Sequence, residues 1–158
     1  MKKIMLTSLF AILISSCNNV NPNEIPNEVI VIVELIKNKE KSQEELREFT
    51  KRYSDYVKST ESNTLGWTYH DAGDKIILIE RYKNEDANIV TAKNISPGGN
   101  RYKLLQESFN YHTLGKVTVI GGFTQKLIDF NKMTAEKVGF TAPFVYYPLI
   151  SGYSKNLR

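Results

Sequence analysis

The 158-residue sequence predicts an α+β domain, and three observations carry that prediction. Two short runs, 29–33 and 76–79, are apolar at every position, as in strands covered on both faces. Stretches near 42–59, 102–112 and 124–138 place apolar residues three and four apart, the spacing of a helix that buries one stripe. The strand-like and helix-like stretches follow one another as β-α-β-β-α-β, with one more helix and strand at the end.

The first strand, Val29-Ile30-Val31-Ile32-Val33, continues through Glu34-Leu35-Ile36 and gives way to a polar turn. Ser42 with Glu45 three residues later forms a capping box, and Leu46, Phe49, Tyr53, Tyr56 and Val57 follow at helical spacing to about Ser59. Leu65, Trp67 and Tyr69 then alternate with Gly66, Thr68 and His70, which is strand periodicity. A turn at 71–74 returns the chain into Ile76–Ile79 and on through Glu80-Arg81-Tyr82. Asn84 can cap a second helix, with Glu85 and Asp86 at its positive end and Ala87, Ile89, Val90 and Ile95 on its buried side. Pro97-Gly98-Gly99 interrupts it, and Tyr102, Leu105, Phe109 and His112 resume helical spacing before the strand Val117–Ile120. This is the split βαβ, ferredoxin-like order with helices on one face of the sheet. In the extension, Thr124 reads as an N-cap, Leu127, Phe130, Thr134 and Val138 as a helical stripe, Gly139 as its stop, and 144–147 as a short strand.

The N-terminus describes location. Lys2 and Lys3 precede an apolar stretch at 4–14 that is too short to span a bilayer but suits a secretory leader. Ile14-Ser15-Ser16-Cys17 resembles a bacterial lipobox, so residues 1–16 read as a lipoprotein signal peptide and Cys17 as the lipidated first residue of the mature chain. Asn- and Pro-rich residues 17–28 read as a flexible tether, and 29–158 as the domain, with 29–121 its core and 122–158 its C-terminal extension. The expected place is the bacterial cell envelope, anchored to a membrane and facing the periplasm or the exterior.

Composition excludes several classes. One cysteine cannot build a disulfide scaffold or a multi-thiolate zinc site, and two histidines give no metal-ligand spacing, so no metal is expected. Removing Lys2 and Lys3 with the leader takes the 21 basic residues to 19 against 17 acidic, too even a balance for nucleic acid. Neither a glycine-rich phosphate loop nor a Ser/His/Asp arrangement is visible, and no cofactor is expected. The two doubly apolar strands carry a further implication. Helices on one face leave the other bare, so that face needs a cover, either a second copy in a homodimer or the C-terminal extension.

The stretches VIVIVELI, LREFTKRY, TLGWTYH and KIILIERYKNEDA together resemble the antibiotic biosynthesis monooxygenase-like family of dimeric α+β barrels, over about 28–121. Glu80, Tyr82 and Ala87 stand where that family closes its third strand and opens its second helix, and the tail looks like the extension of a poorly characterised subgroup. The resemblance implies a pocket between sheet and helices that takes a small aromatic or apolar molecule, with Trp67 and Tyr69 lining it. It also implies a cofactor-independent oxygenase as the enzymatic reading. Many such members carry a histidine on the second helix, where this sequence has Thr91 and Ala92. The acid/base candidates are then His70, beside the hairpin turn, and His112, at the expected helix end. Asn88, Asn94 and Asn131 could orient a ligand carbonyl, and Glu80 needs a partner if buried. A non-catalytic ligand-binding lipoprotein and a protein-interaction lipoprotein of the same fold are the alternatives.

Overall fold

A computed structural model describes residues 27–152. The leader, Cys17 and most of the tether lie outside the described residues. The elements run β1 (Val29–Lys37), α1 (Gln43–Thr60), β2 (Thr64–Ala72), β3 (Lys75–Tyr82), α2 (Glu85–Lys93), α3 (Tyr102–Ser108), β4 (His112–Gly121), α4 (Gln125–Val138) and β5 (Phe144–Pro148). They form one five-stranded sheet in the order β2-β3-β1-β4-β5, antiparallel except for the β4–β5 pair. A parallel pair needs a crossover, and α4 supplies it. The α+β, ferredoxin-like order of the first four strands is as the sequence predicts. Among the described residues no helix is long and apolar enough to cross a membrane.

Local chemistry explains the helix ends. The Ser42 hydroxyl accepts from the Glu45 backbone N–H while the Glu45 carboxylate accepts from the Ser42 N–H, closing the capping box. Asn84 and Thr124 cap α2 and α4 through their side-chain oxygens. Gly139 ends α4 in the left-handed region at φ 79°, a conformation a side chain disfavours.

Strand alternation divides the sheet into two unlike faces. Val29, Val31, Val33 and Leu35 point to one side, where Leu46 of α1, Ala87 and Ile89 of α2, and Leu127 of α4 pack on them. Ile30 and Ile32 point to the other side with Ile77 and Ile79, all half-buried, and Ile36 and Ile120 are exposed there. No described element covers that side. The extension does not do so: β5 adds to the sheet edge, and α4 lies beside α2 on the helical side.

Two expectations need correction. The apolar stripe at 102–112 does not form one helix, because α3 stops at Ser108 and Phe109 stands outside the core. Backbone N–H groups of Asn110 and Tyr111 bond three residues back, to Glu107 and Ser108, which tightens and ends the turn. His112 therefore does not cap a helix end. It opens β4, opposite Lys37 of β1. In α2, Val90 is exposed while Asn88 and Thr91 are buried, so its inward side is more polar than the apolar spacing suggests.

Candidate functional site

The helices do not fill the space above the sheet. A cavity of about 130 Å³ remains, floored by Val31, Val33 and Leu35 of β1, Leu78 of β3 and Val117 of β4. Sheet register builds the floor in rows. Trp67, Glu80 and Val31 lie side by side across β2, β3 and β1, and Tyr69, Leu78 and Val33 form the next row. Alternation thus brings Trp67 and Tyr69 into the cavity wall together. Trp67 stacks on Tyr53 of α1, with ring centres 5.8 Å apart and planes within 10°.

Above these rings sits Arg101, just before α3. Its side chain reaches inward and is 2% exposed, with the guanidinium 5.0 Å from the Trp67 ring and 5.8 Å from Tyr53. The 94–101 loop aims it. The Arg101 backbone N–H donates to Asn94 O at 2.8 Å, and Gly99 lies so close that a Cβ there would stand 2.4 Å from the same oxygen. One guanidinium nitrogen, Nη2, donates to Thr91 O at 3.2 Å. Nη1 stands 3.4 Å from Glu61 Oε1, near enough for charge pairing but without hydrogen-bond alignment. Glu61 is itself buried at the end of α1 and accepts from Asn94 Nδ2 through both oxygens, each at 3.0 Å.

Several buried polar atoms here lack hydrogen-bond partners. Arg101 Nε and Nη1 and Trp67 Nε1 have no hydrogen-bond partner, and neither has His112 Nδ1. The Tyr69 hydroxyl is near enough to Trp67 for each to affect the other electrostatically, yet the pair does not meet hydrogen-bond geometry. Buried polar groups without a protein partner are uncommon, because each must otherwise find a water or a ligand.

Burial dominates the electrostatics. It pushes the Glu80 carboxyl above its usual range, against the bond Glu80 accepts from the Tyr82 hydroxyl at 2.5 Å. It holds Tyr53 up to about 12 and Tyr69 higher still. It also lowers His112 to about 4, which keeps the imidazole neutral near pH 7.

The structure gathers some of the sequence candidates and separates others. Trp67, Tyr69 and His112 line the cavity, as do Asn88 and Asn131, both buried. His70 does not. It is exposed, and its Nε2 lies 3.0 Å from Thr68 Oγ1. Asn94 serves Glu61 instead of the cavity. Arg101 and Glu61 went unread in the sequence, since neither belongs to a periodic stretch. Among the described residues no cluster of three His, Cys, Asp or Glu side chains could hold a metal ion.

No protein-family model matches the sequence, and no curated protein does. Solved structures share its fold. MupZ from Pseudomonas fluorescens superposes with a TM-score of 0.57 at 16% identity, over 82% of this chain and 96% of its own. SnoaB, a cofactor-independent oxygenase from Streptomyces nogalater, matches at a TM-score of 0.48 and 13% identity, over 62% of this chain and 92% of its own. Rv0793 from Mycobacterium tuberculosis gives 0.45 at 19% identity, over 58% and 91%. The likeness to MupZ is one of fold.

Proposed function

We propose that the protein is a lipid-anchored envelope protein whose domain binds a small aromatic or apolar molecule in the cavity above the sheet. The observation that carries this reading is the cavity itself: apolar floor, stacked aromatic wall, and unpartnered polar groups converging at one end. Cores are normally packed without such space. A void of about 130 Å³ is close to the roughly 150 Å³ apolar cavity known to accept benzene, so one aromatic ring is the natural size of occupant. Anchoring rests on the lipobox and on Cys17, the only cysteine in the chain.

Binding without turnover is favoured over catalysis. His112, lowered to about 4, is a weak base, and Glu80, raised by burial, is a poor one while it holds its proton. The second reading, a cofactor-independent oxygenase, keeps one support: His112 lines the cavity and is neutral, so it could accept a proton from a bound substrate. The open sheet face favours a homodimer, because Ile32 pairs directly with Ile79 and Ile30 with Ile120 across adjacent strands, making a continuous apolar strip.

A thermal-stability screen against single-ring aromatics tests the binding reading. A ligand at a hundred times its Kd should add about 2.7 kcal/mol to native stability. Trp67→Ala should abolish most of that gain while leaving a folded protein. Stabilisation that survives Trp67→Ala would place the ligand elsewhere. Turnover that disappears in His112→Ala while binding persists would establish the oxygenase reading instead.

A further inference from the structure

We infer that Glu61 sets the ligand selectivity of the cavity: by balancing the charge of Arg101 it makes the Arg101–Trp67 end select an uncharged carbonyl oxygen over a carboxylate. The inference rests on the cavity being a ligand site, and it concerns which polar group enters.

Three buried donor atoms at this end lack acceptors, namely Arg101 Nε, Arg101 Nη1 and Trp67 Nε1. Two of them belong to a guanidinium that is 2% exposed, so water does not serve them freely. An occupant bringing an oxygen acceptor to this end can therefore bond to donors that no protein group serves, and a pure hydrocarbon cannot. Donors alone would suit an anion at least as well as a carbonyl, because charged acceptors bind Arg more strongly. The surrounding charges decide between them.

Arg101 already has a counter-charge. Glu61 stands 3.4 Å from Nη1 and is fixed there by two bonds from Asn94. Its side chain is as buried as that of Arg101, so little solvent screens the pair. Glu80 is a second carboxyl at the cavity wall, in the row beside Trp67. An incoming carboxylate would meet one cation whose charge Glu61 already balances, with that buried carboxylate close by. It would also surrender its hydration, a cost that an uncharged carbonyl largely avoids. Burial holds Glu80 towards its neutral form, so that a carbonyl ligand leaves the site near neutrality.

Three probes of one ring size separate these contributions: acetophenone, benzoate and ethylbenzene. The lone tryptophan of the chain is Trp67, so intrinsic fluorescence of the purified full chain reports on the cavity directly. The expected order is acetophenone tightest, ethylbenzene about tenfold weaker, and benzoate weaker than acetophenone by about tenfold or more. Glu61→Gln should shift the acetophenone-to-benzoate ratio towards benzoate by at least about tenfold. Trp67→Phe, followed by calorimetry, should weaken acetophenone about fivefold more than ethylbenzene, since only the ketone loses a donor. If Glu61→Gln does not fold, the wild-type order decides. Benzoate binding as tightly as acetophenone, or a folded Glu61→Gln with an unchanged ratio, would overturn the inference. If ethylbenzene matches acetophenone, the cavity remains a ligand site and this inference fails. If none of the three binds, the ligand-site reading fails and takes the inference with it.

Discussion

The two faces of the sheet are built from one set of strands and have opposite characters. In β1 the residues under the helices are Val29, Val31, Val33 and Leu35, whereas those on the open side are Ile30, Ile32 and Ile36. The smaller valines lie beneath a cavity, and the larger isoleucines form a strip with no cover in the protomer. The polar groups differ as well. On the helical side Arg101 is buried with two of its nitrogens unpartnered, beside buried Glu61 and half-buried Glu80. On the open side, Glu34 is held to about 2 by hydrogen bonds from Lys116 and Lys75 at 2.8 Å, the pattern of a satisfied rim. Apolar surface alone therefore does not mark a ligand site. Space combined with unpartnered donors is what the proposed ligand site rests on, and an apolar strip with paired charges at its edge is what the proposed dimer rests on.

The largest expected effect comes from exchanging the character of adjacent residues. Val31→Glu would bury an unpaired carboxylate under the helices, at a position 6% exposed, and should cost several kcal/mol, leaving no folded protein. Ile32→Glu, one residue on, should fold and sediment as a monomer, whereas the unaltered protein is expected to sediment as a dimer. Equal damage by the two substitutions would erase the distinction between the faces. An unaltered protein that sediments as a monomer at micromolar concentration would remove the dimer.

A second effect belongs to the helical side alone. The folded His112 titrates near 4 and the unfolded residue near 6.5, so across that window the unfolded chain binds a proton that the folded chain does not. Stability should then fall as pH drops from about 6.5 to about 4, by on the order of 3 kcal/mol in total. His112→Asn should flatten this slope in chemical denaturation, and an unchanged slope would show that the imidazole is not desolvated. The Glu34 contribution lies lower. It is present above the unfolded carboxylate range and is lost only as pH falls towards about 2.

Smaller again is the effect of one methyl group. Val33→Ile adds volume beneath the cavity, so it should cost less than the roughly 1–3 kcal/mol of ordinary overpacking while weakening ligand binding. Ile32→Val on the open side should leave binding unchanged and weaken the proposed self-association. Calorimetric binding and sedimentation on the two variants check the pair.

Much of this contrast was legible in the sequence, for definite reasons. Consecutive apolar positions in 29–33 signalled apolar side chains on both faces of the sheet, and Ser42, Asn84, Thr124 and Gly139 marked helix ends because capping is a local matter. Alternation put Trp67 and Tyr69 on one face. The polar end of the cavity was illegible because tertiary contact creates it. Glu61 ends α1, Asn94 follows α2 and Arg101 precedes α3, and no spacing links the three. Asn88 and Asn131 were candidates by residue type alone, and nothing local reveals that their side chains are buried at a hollow. His112 was misread when spacing from Leu105 and Phe109 carried a helix across residues that β1 recruits into a strand.

The hollow under the helices is where a ligand is expected to sit. The direct measurement is a crystal structure of the protein soaked with iodobenzene, with the iodine located by its anomalous scattering. The account predicts iodine between the valine floor of β1 and the Trp67 ring, below Arg101. Iodine on the isoleucine face, with the cavity unchanged, would contradict it.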